Sequence, residues 1–146
     1  MLVVRRLALL LVAALALAAC GSAHKSTTGS TAAAQAQIRS AYEKFFSPKS
    51  SLSERVALLQ NGPRFKPVVK GFASNPLAKS VTVDVSSVTL QPGSKAKVVY
   101  QVKFAGTSLP KQTGTAVRQG GTWKLGDASL CKLVALSGST PSACKS

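Results

Sequence analysis

Along residues 32–47 the apolar side chains Ile38, Tyr42, Phe45 and Phe46 fall at i, i+4, i+7 and i+8, which is one face of a helix. Pro48 ends it. Ser51-Leu52-Ser53-Glu54 then reads as a capping box, in which a hydroxyl and a carboxylate each accept a free backbone N–H at a helix start. A short helix is expected through Gln60 with Val56 and Leu59 inward, stopped by Asn61-Gly62-Pro63, where Asn61 supplies a left-handed cap. Phe65, Val68, Val69 and Phe72 repeat at i, i+3, i+4 and i+7 and predict a third helix, with Pro67 tolerated only near its first turn.

Beyond Asn75-Pro76 the period changes to two. Val81, Val83 and Val85 alternate with polar residues, and the alternation slips by one at Ser86-Ser87 before resuming at Val88 and Leu90, the mark of a β-bulge. Gln91-Pro92-Gly93-Ser94 fits a type II turn. Ala96, Val98, Tyr100, Val102 and Phe104 predict a second strand, residues 112–119 a third, and Trp123 with Leu125 a fourth after the Gly120-Gly121 hairpin signal. A last short helix, capped by Asp127, would carry Leu130, Leu133, Val134 and Leu136 and end at Gly138. The pattern is thus α+β: N-terminal helices, a curved four-stranded antiparallel meander and a short C-terminal helix.

Met1 to Ala19 stands apart, since 17 of its 19 residues are apolar. Arg5 and Arg6 form a charged start and Leu7 to Leu17 an apolar run too short to cross a bilayer comfortably, so residues 1–19 read as a signal peptide. The flanks of the arginine pair do not match the longer twin-arginine export pattern. Leu17-Ala18-Ala19-Cys20 resembles the lipobox of bacterial lipoproteins, which implies diacylglyceryl and palmitate attachment to Cys20 and cleavage just before it. An ordinary secretory cut near Ala19 is the alternative; it would leave an unpaired thiol at the start of an exported chain. Residues 20–31 lack hydrophobic periodicity and are expected to form a flexible tether, leaving 32–146 as the domain.

Removing the signal alters the charge only from +15 to +13. Lys95, Lys97, Lys103 and Lys124 alternate with inward residues and should form a basic outer sheet face; Arg64, Lys66 and Lys70 add a patch on the third helix. For an exported, anchored domain the nearest anions are phospholipid headgroups and envelope polymers rather than nucleic acid, and no aromatic residues interleave with these lysines for base stacking. The other reading is a solvated face that maintains solubility.

Catalytic chemistry finds little to work with. The single His, His24, lies on the tether, and the four acids Glu43, Glu54, Asp84 and Asp127 are scattered, so neither a nucleophilic triad, a carboxylate pair nor a metal or cofactor site is expected. The remaining cysteines, Cys131 and Cys144, are expected to form a disulfide that pins the tail, because their spacing is not that of a redox or zinc motif.

Helices followed by a bent sheet resemble the cystatin-like, nuclear-transport-factor-2-like roll, whose helices pack into a concave sheet. Enzymes on that roll use an interior Asp, His or Tyr; here only Tyr42 and Tyr100 could serve, and either is equally a core aromatic. Ala41-Tyr42 with Phe45-Phe46, the stretch from Val56 to Gly62, Asn75-Pro76-Leu77-Ala78, Thr113 to Val117 with Trp123-Lys124, and the Cys131 to Cys144 tail are similar to the C-terminal domain of the low molecular weight antigen family of mycobacteria and related actinobacteria. That resemblance implies an extracytoplasmic, lipid-anchored, non-enzymatic protein. A second reading is a carrier or sensor of a small apolar ligand, held in a concave pocket by Tyr42, Phe45, Phe46, Phe65, Phe72 and Tyr100. The alternative for those residues is a filled core.

Overall fold

Inward valines at uneven spacing require a sheet that bends, and the computed structural model, which describes residues 27–145, contains one. Strands β1 (Val81–Gln91), β2 (Lys95–Phe104), β4 (Gln112–Gln119) and β5 (Thr122–Leu125) form an antiparallel meander in that spatial order. A two-residue strand β3 (Thr107–Ser108), not foreseen from the sequence, folds back on β2. Across β1 and β2, Val83 faces Val102, Val85 faces Tyr100, and after a register shift between Val85 and Ser87, Val88 faces Val98. Ser86 is thus the extra bulge residue that keeps valines on one face despite the odd step.

Helices α1 (Thr27–Phe46), α2 (Leu52–Ala57) and α3 (Gly62–Ser74) precede the sheet, and α4 (Asp127–Leu136) follows it. Ile38, Tyr42, Phe45 and Phe46 of α1 pack into the concave face against Val85, Val98, Tyr100, Ala116 and Leu125, with Leu59, Phe65 and Val69 closing the core. The arrangement is a half-barrel of four strands wrapped around helices.

Local signals explain most boundaries. The capping box is formed: Glu54 N–H donates to Ser51 Oγ at 3.2 Å and Ser51 N–H to Glu54 Oε2 at 2.7 Å. Asn61 adopts φ 52°, the left-handed conformation its cap position demands. At the hairpin, Gly93 has the expected positive φ of 74°, but Ser94 follows it at 57°, so the loop is wider than a plain type II turn.

Three expectations need correction. First, α1 begins at Thr27, so residues 27–31, expected in the tether, are helical; an exposed opening turn leaves no apolar stripe to announce it. Second, Pro67 sits inside α3, which starts at Gly62 rather than near Phe65. Third, the residue that caps α4 is Gly126, not Asp127; Asp127 is the first helical residue, and its carboxylate accepts from Ala128 N–H at 2.7 Å and from Asn61 Nδ2 at 2.9 Å. The signal segment, Cys20 and the tether to residue 26 lie outside the described residues.

Sheet edges are covered from both sides. Gln60 N–H donates to Leu125 O at 2.8 Å and Leu125 N–H to Leu58 O at 2.9 Å, so the chain after α2 adds to the free edge of β5. On the other edge, Gln35 Nε2 donates to Val88 O at 2.9 Å and Arg39 Nη1 donates to Val85 O beside the bulge. Such cover blunts an edge that would otherwise recruit another strand. These bonds also set the direction of α1, which runs antiparallel to β1 with its beginning toward the Gln91–Lys95 hairpin.

Candidate functional site

The six aromatic residues proposed for a concave pocket do not share one. Tyr42, Phe45, Phe46, Phe65 and Tyr100 are at most 3% exposed and fill the half-barrel; Tyr42 and Tyr100 rings meet at 5.2 Å and Phe45 and Phe46 at 5.0 Å. Their interior is core, as the alternative reading had it. Tyr42 Oη donates to Thr115 O at 2.6 Å. Burial pushes both phenols above their ordinary range, Tyr100 to about 12 and Tyr42 further. A neutral phenol spent on a main-chain carbonyl is poorly matched to proton transfer near neutrality.

Space lies instead at the end of the core. A cleft of ≈ 840 Å³ opens between α3, the ends of β1 and β2, α4 and the C-terminal tail. Phe46 and Phe72 are the two members of the predicted set that reach it. Val68, Val102, Phe104, Leu133 and Val134 are among its other apolar lining residues. Arg64 is the only charged lining residue, and neither phenol opens on the cleft.

The far wall is held by the disulfide. Cys131 of α4 and Cys144 of the tail are bonded, with Cα atoms 5.5 Å apart. This returns the tail across the cleft, placing Pro141 and Ala143 in its lining.

Two structural groups escaped the sequence reading. Arg55, only 3% exposed, donates through Nη1 to Phe45 O and through Nη2 to Ser47 O, each at 2.6 Å, and through Nε to Ser50 O at 3.2 Å. Its guanidinium therefore caps the carbonyl end of α1, where a cation also complements the helix dipole, and lies 5.4 Å from the Phe72 ring centroid. Burial lowers its pKa from the ordinary arginine value. The second group surrounds Gly114: Ser129 Oγ accepts from Thr115 N–H at 2.7 Å and ties α4 to β4.

The basic face divides. Lys103 forms an ion pair with Asp84, which removes it from the free charge. Val117 is the cross-strand neighbour of both Lys95 and Lys124, while Lys97 faces Thr115, so these three lysines cluster on the outer sheet near the β1–β2 hairpin. This is the end toward which the first turn of α1 points.

Among the described residues no group of three or more His, Cys, Asp or Glu could hold a metal ion. Glu54 is committed to its cap, and the Ser51 backbone N–H and hydroxyl hold its carboxyl below the usual range. No helix among the described residues is long and apolar enough to cross a membrane.

A half-barrel of four strands filled by helices, carrying a disulfide-held cap and an apolar cleft, makes this a small α+β domain. Residues 31–141 match the C-terminal domain of low molecular weight antigen MTB12, and the chain belongs to that family. Comparison with curated proteins finds no match.

Proposed function

We propose that this protein is a lipid-anchored, non-enzymatic component of the extracytoplasmic envelope, tethered through Cys20 and resting its basic end on anionic headgroups. The observation that carries the reading is the polarity of the domain: α1 starts seven residues after Cys20, at the end that bears Lys95, Lys97 and Lys124. Seven residues extend to at most about 25 Å, which keeps that end close to any membrane holding Cys20. The Cys131–Cys144 bond supports an oxidising compartment. Family membership supports an exported antigen.

Near an anionic surface each lysine contributes about 1 kcal/mol, so the cluster of three contributes roughly 3 kcal/mol, about a hundredfold in partitioning. The triple change Lys95→Gln, Lys97→Gln, Lys124→Gln should lower binding to phosphatidylglycerol vesicles by that factor and leave binding to phosphatidylcholine vesicles unchanged. Cys20→Ala should move the protein from the membrane fraction to the medium or to an unprocessed precursor. A Cys20→Ala protein that loses Met1 to Ala19 and still stays in the membrane fraction would sink the anchor; undiminished binding of the lysine variant to phosphatidylglycerol vesicles would sink the headgroup contact.

The cleft favours a second reading, carriage or sensing of a small apolar ligand. Its place is the space bounded by α3, α4 and the tail, since the concave interior is filled.

A further inference from the structure

We infer that the cleft between α3 and α4 takes a single-chain anionic amphiphile, with its acyl chain among Val68, Val102, Leu133 and Val134 and its anionic head at Arg64. This rests on the second reading above and adds the chemical class of the ligand.

Size is the first argument. The cleft, at ≈ 840 Å³, falls within the roughly 300–1,000 Å³ typical of small-molecule sites. Polarity is the second. The lining includes none of the four acids of the chain, and every buried side-chain nitrogen and oxygen among the described residues already has a hydrogen-bond partner. The uncharged polar side chains of the lining, Asn75, Ser137, Ser139 and Ser142, are all exposed, so an acyl chain in the buried part of the trough meets no unpaired side-chain donor or acceptor, whereas a polar ligand loses hydration there without compensation.

Charge at the cleft is the third argument. Arg64 is exposed, its guanidinium lies 5.7 Å from the Phe65 ring centroid, and no carboxylate pairs with it among the described residues. A planar guanidinium free of acidic partners and set beside an apolar trough is suited to a carboxylate or phosphate in bidentate geometry. Leu77, 59% exposed and part of the lining, leaves the apolar surface open to solvent rather than sealed. The tail from Ser137 to Ala143, closed back by the disulfide, supplies the outer wall.

Gly71 provides a clean block. It lines the cleft, and a Cβ there would meet nothing within 4 Å, so Gly71→Trp should fill the trough without disturbing the core. The test uses the membrane-extracted protein in phosphatidylcholine nanodiscs, labelled by a diazirine-bearing 16-carbon fatty acid and mapped by peptide mass spectrometry. Labels are expected on the segments carrying Val68 and Leu133-Val134, suppressed at least tenfold by Gly71→Trp at unchanged melting temperature. Arg64→Gln should weaken competition by palmitate about tenfold and leave competition by hexadecanol unaltered. Comparing palmitate with lysophosphatidylglycerol as competitors assigns the head to a free fatty acid or to a lysolipid. If palmitate and hexadecanol compete equally and Arg64→Gln changes neither, the anionic class is overturned while an apolar carrier survives. Labels scattered outside the cleft, or insensitive to Gly71→Trp, overturn both.

Discussion

Gly114→Ala separates a generic effect from a specific one, because the two differ in sign. Replacing glycine by alanine where the backbone is compatible stabilises a protein by about 0.4–1 kcal/mol through the unfolded chain. At Gly114, however, a Cβ would stand 2.6 Å from Tyr42 Oη, 2.9 Å from Ser129 Oγ and 3.0 Å from Tyr100 Cε1. All three belong to buried residues, and Tyr42 Oη is fixed by its bond to Thr115 O. Overpacking of this kind costs about 1–3 kcal/mol, and displacing the phenol forfeits a hydrogen bond that contributes about 1 kcal/mol. The net expectation is a loss of roughly 2–3 kcal/mol, or about 8–12 °C in Tm for a domain of this size. Thermal and urea unfolding followed by circular dichroism would read it. Gly71→Ala, helical and unobstructed, should gain up to about 1 kcal/mol and serves as the control. Adding Tyr42→Phe should recover part of the Gly114→Ala loss, since it removes the closest clashing atom; the double variant should be less destabilised than the sum of the singles. A Gly114→Ala protein at least as stable as wild type would refute the close-approach argument.

Other expectations follow from groups already described. Arg55→Met removes the guanidinium donor from the carbonyls of Phe45, Ser47 and Ser50, of which Ser47 O keeps its bond from Ser50 N–H, and should cost about 3 kcal/mol in urea unfolding, with Arg55→Lys a poor rescue because an ammonium cannot span the fork; wild-type stability in Arg55→Met would contradict the cap. Reducing Cys131–Cys144, separated by 13 positions, should cost about 3 kcal/mol on the chain-entropy estimate, and identical melting with and without reductant would contradict it. The raised phenols contribute stability that is complete below pH 10 and is lost as pH climbs from 10 through about 12, because the unfolded chain ionises first. Tyrosinate absorbance should therefore rise together with unfolding; a phenol titrating at its ordinary value in the folded protein would show that burial is overstated. Glu54 has the opposite sign: its depressed carboxyl contributes above the ordinary glutamate value and that contribution fades as pH falls through the folded value, a dependence that Glu54→Gln should remove.

Much of the architecture was legible because its signals are local. The slip at Ser86-Ser87 encodes the bulge, Ser51 with Glu54 encodes a helix start, and Asn61 with Gly138 encodes left-handed stops. Arg55 was not legible: within a polar capping sequence it reads as a solvated charge, and only the tertiary path of Phe45 to Ser50 converges carbonyls on it. Gly114 looks like an ordinary weak strand residue until α1 and α4 are both brought against it. The candidate site was half legible for the same reason. Phe46 and Phe72 were picked out by helical period, but a cleft is a gap between α3, α4 and the strand ends, and no periodicity in one segment reports a space between several. Lys103 shows the limit for charge, since strand alternation gives its face, but only the folded sheet, where Lys103 stands opposite Thr82 and Asp84 opposite Gln101, brings it diagonally onto Asp84.

Anchoring at the envelope through Cys20, as proposed above, requires a lipid on that residue. Mass spectrometry of the N-terminal tryptic peptide from membrane-extracted protein tests it most directly. The chain should begin at Cys20, with the Cys20–Lys25 peptide carrying a diacylglyceryl group on sulfur. An unmodified Cys20–Lys25 peptide, or a chain in which Met1 to Ala19 remains attached to the folded domain at steady state, would contradict it.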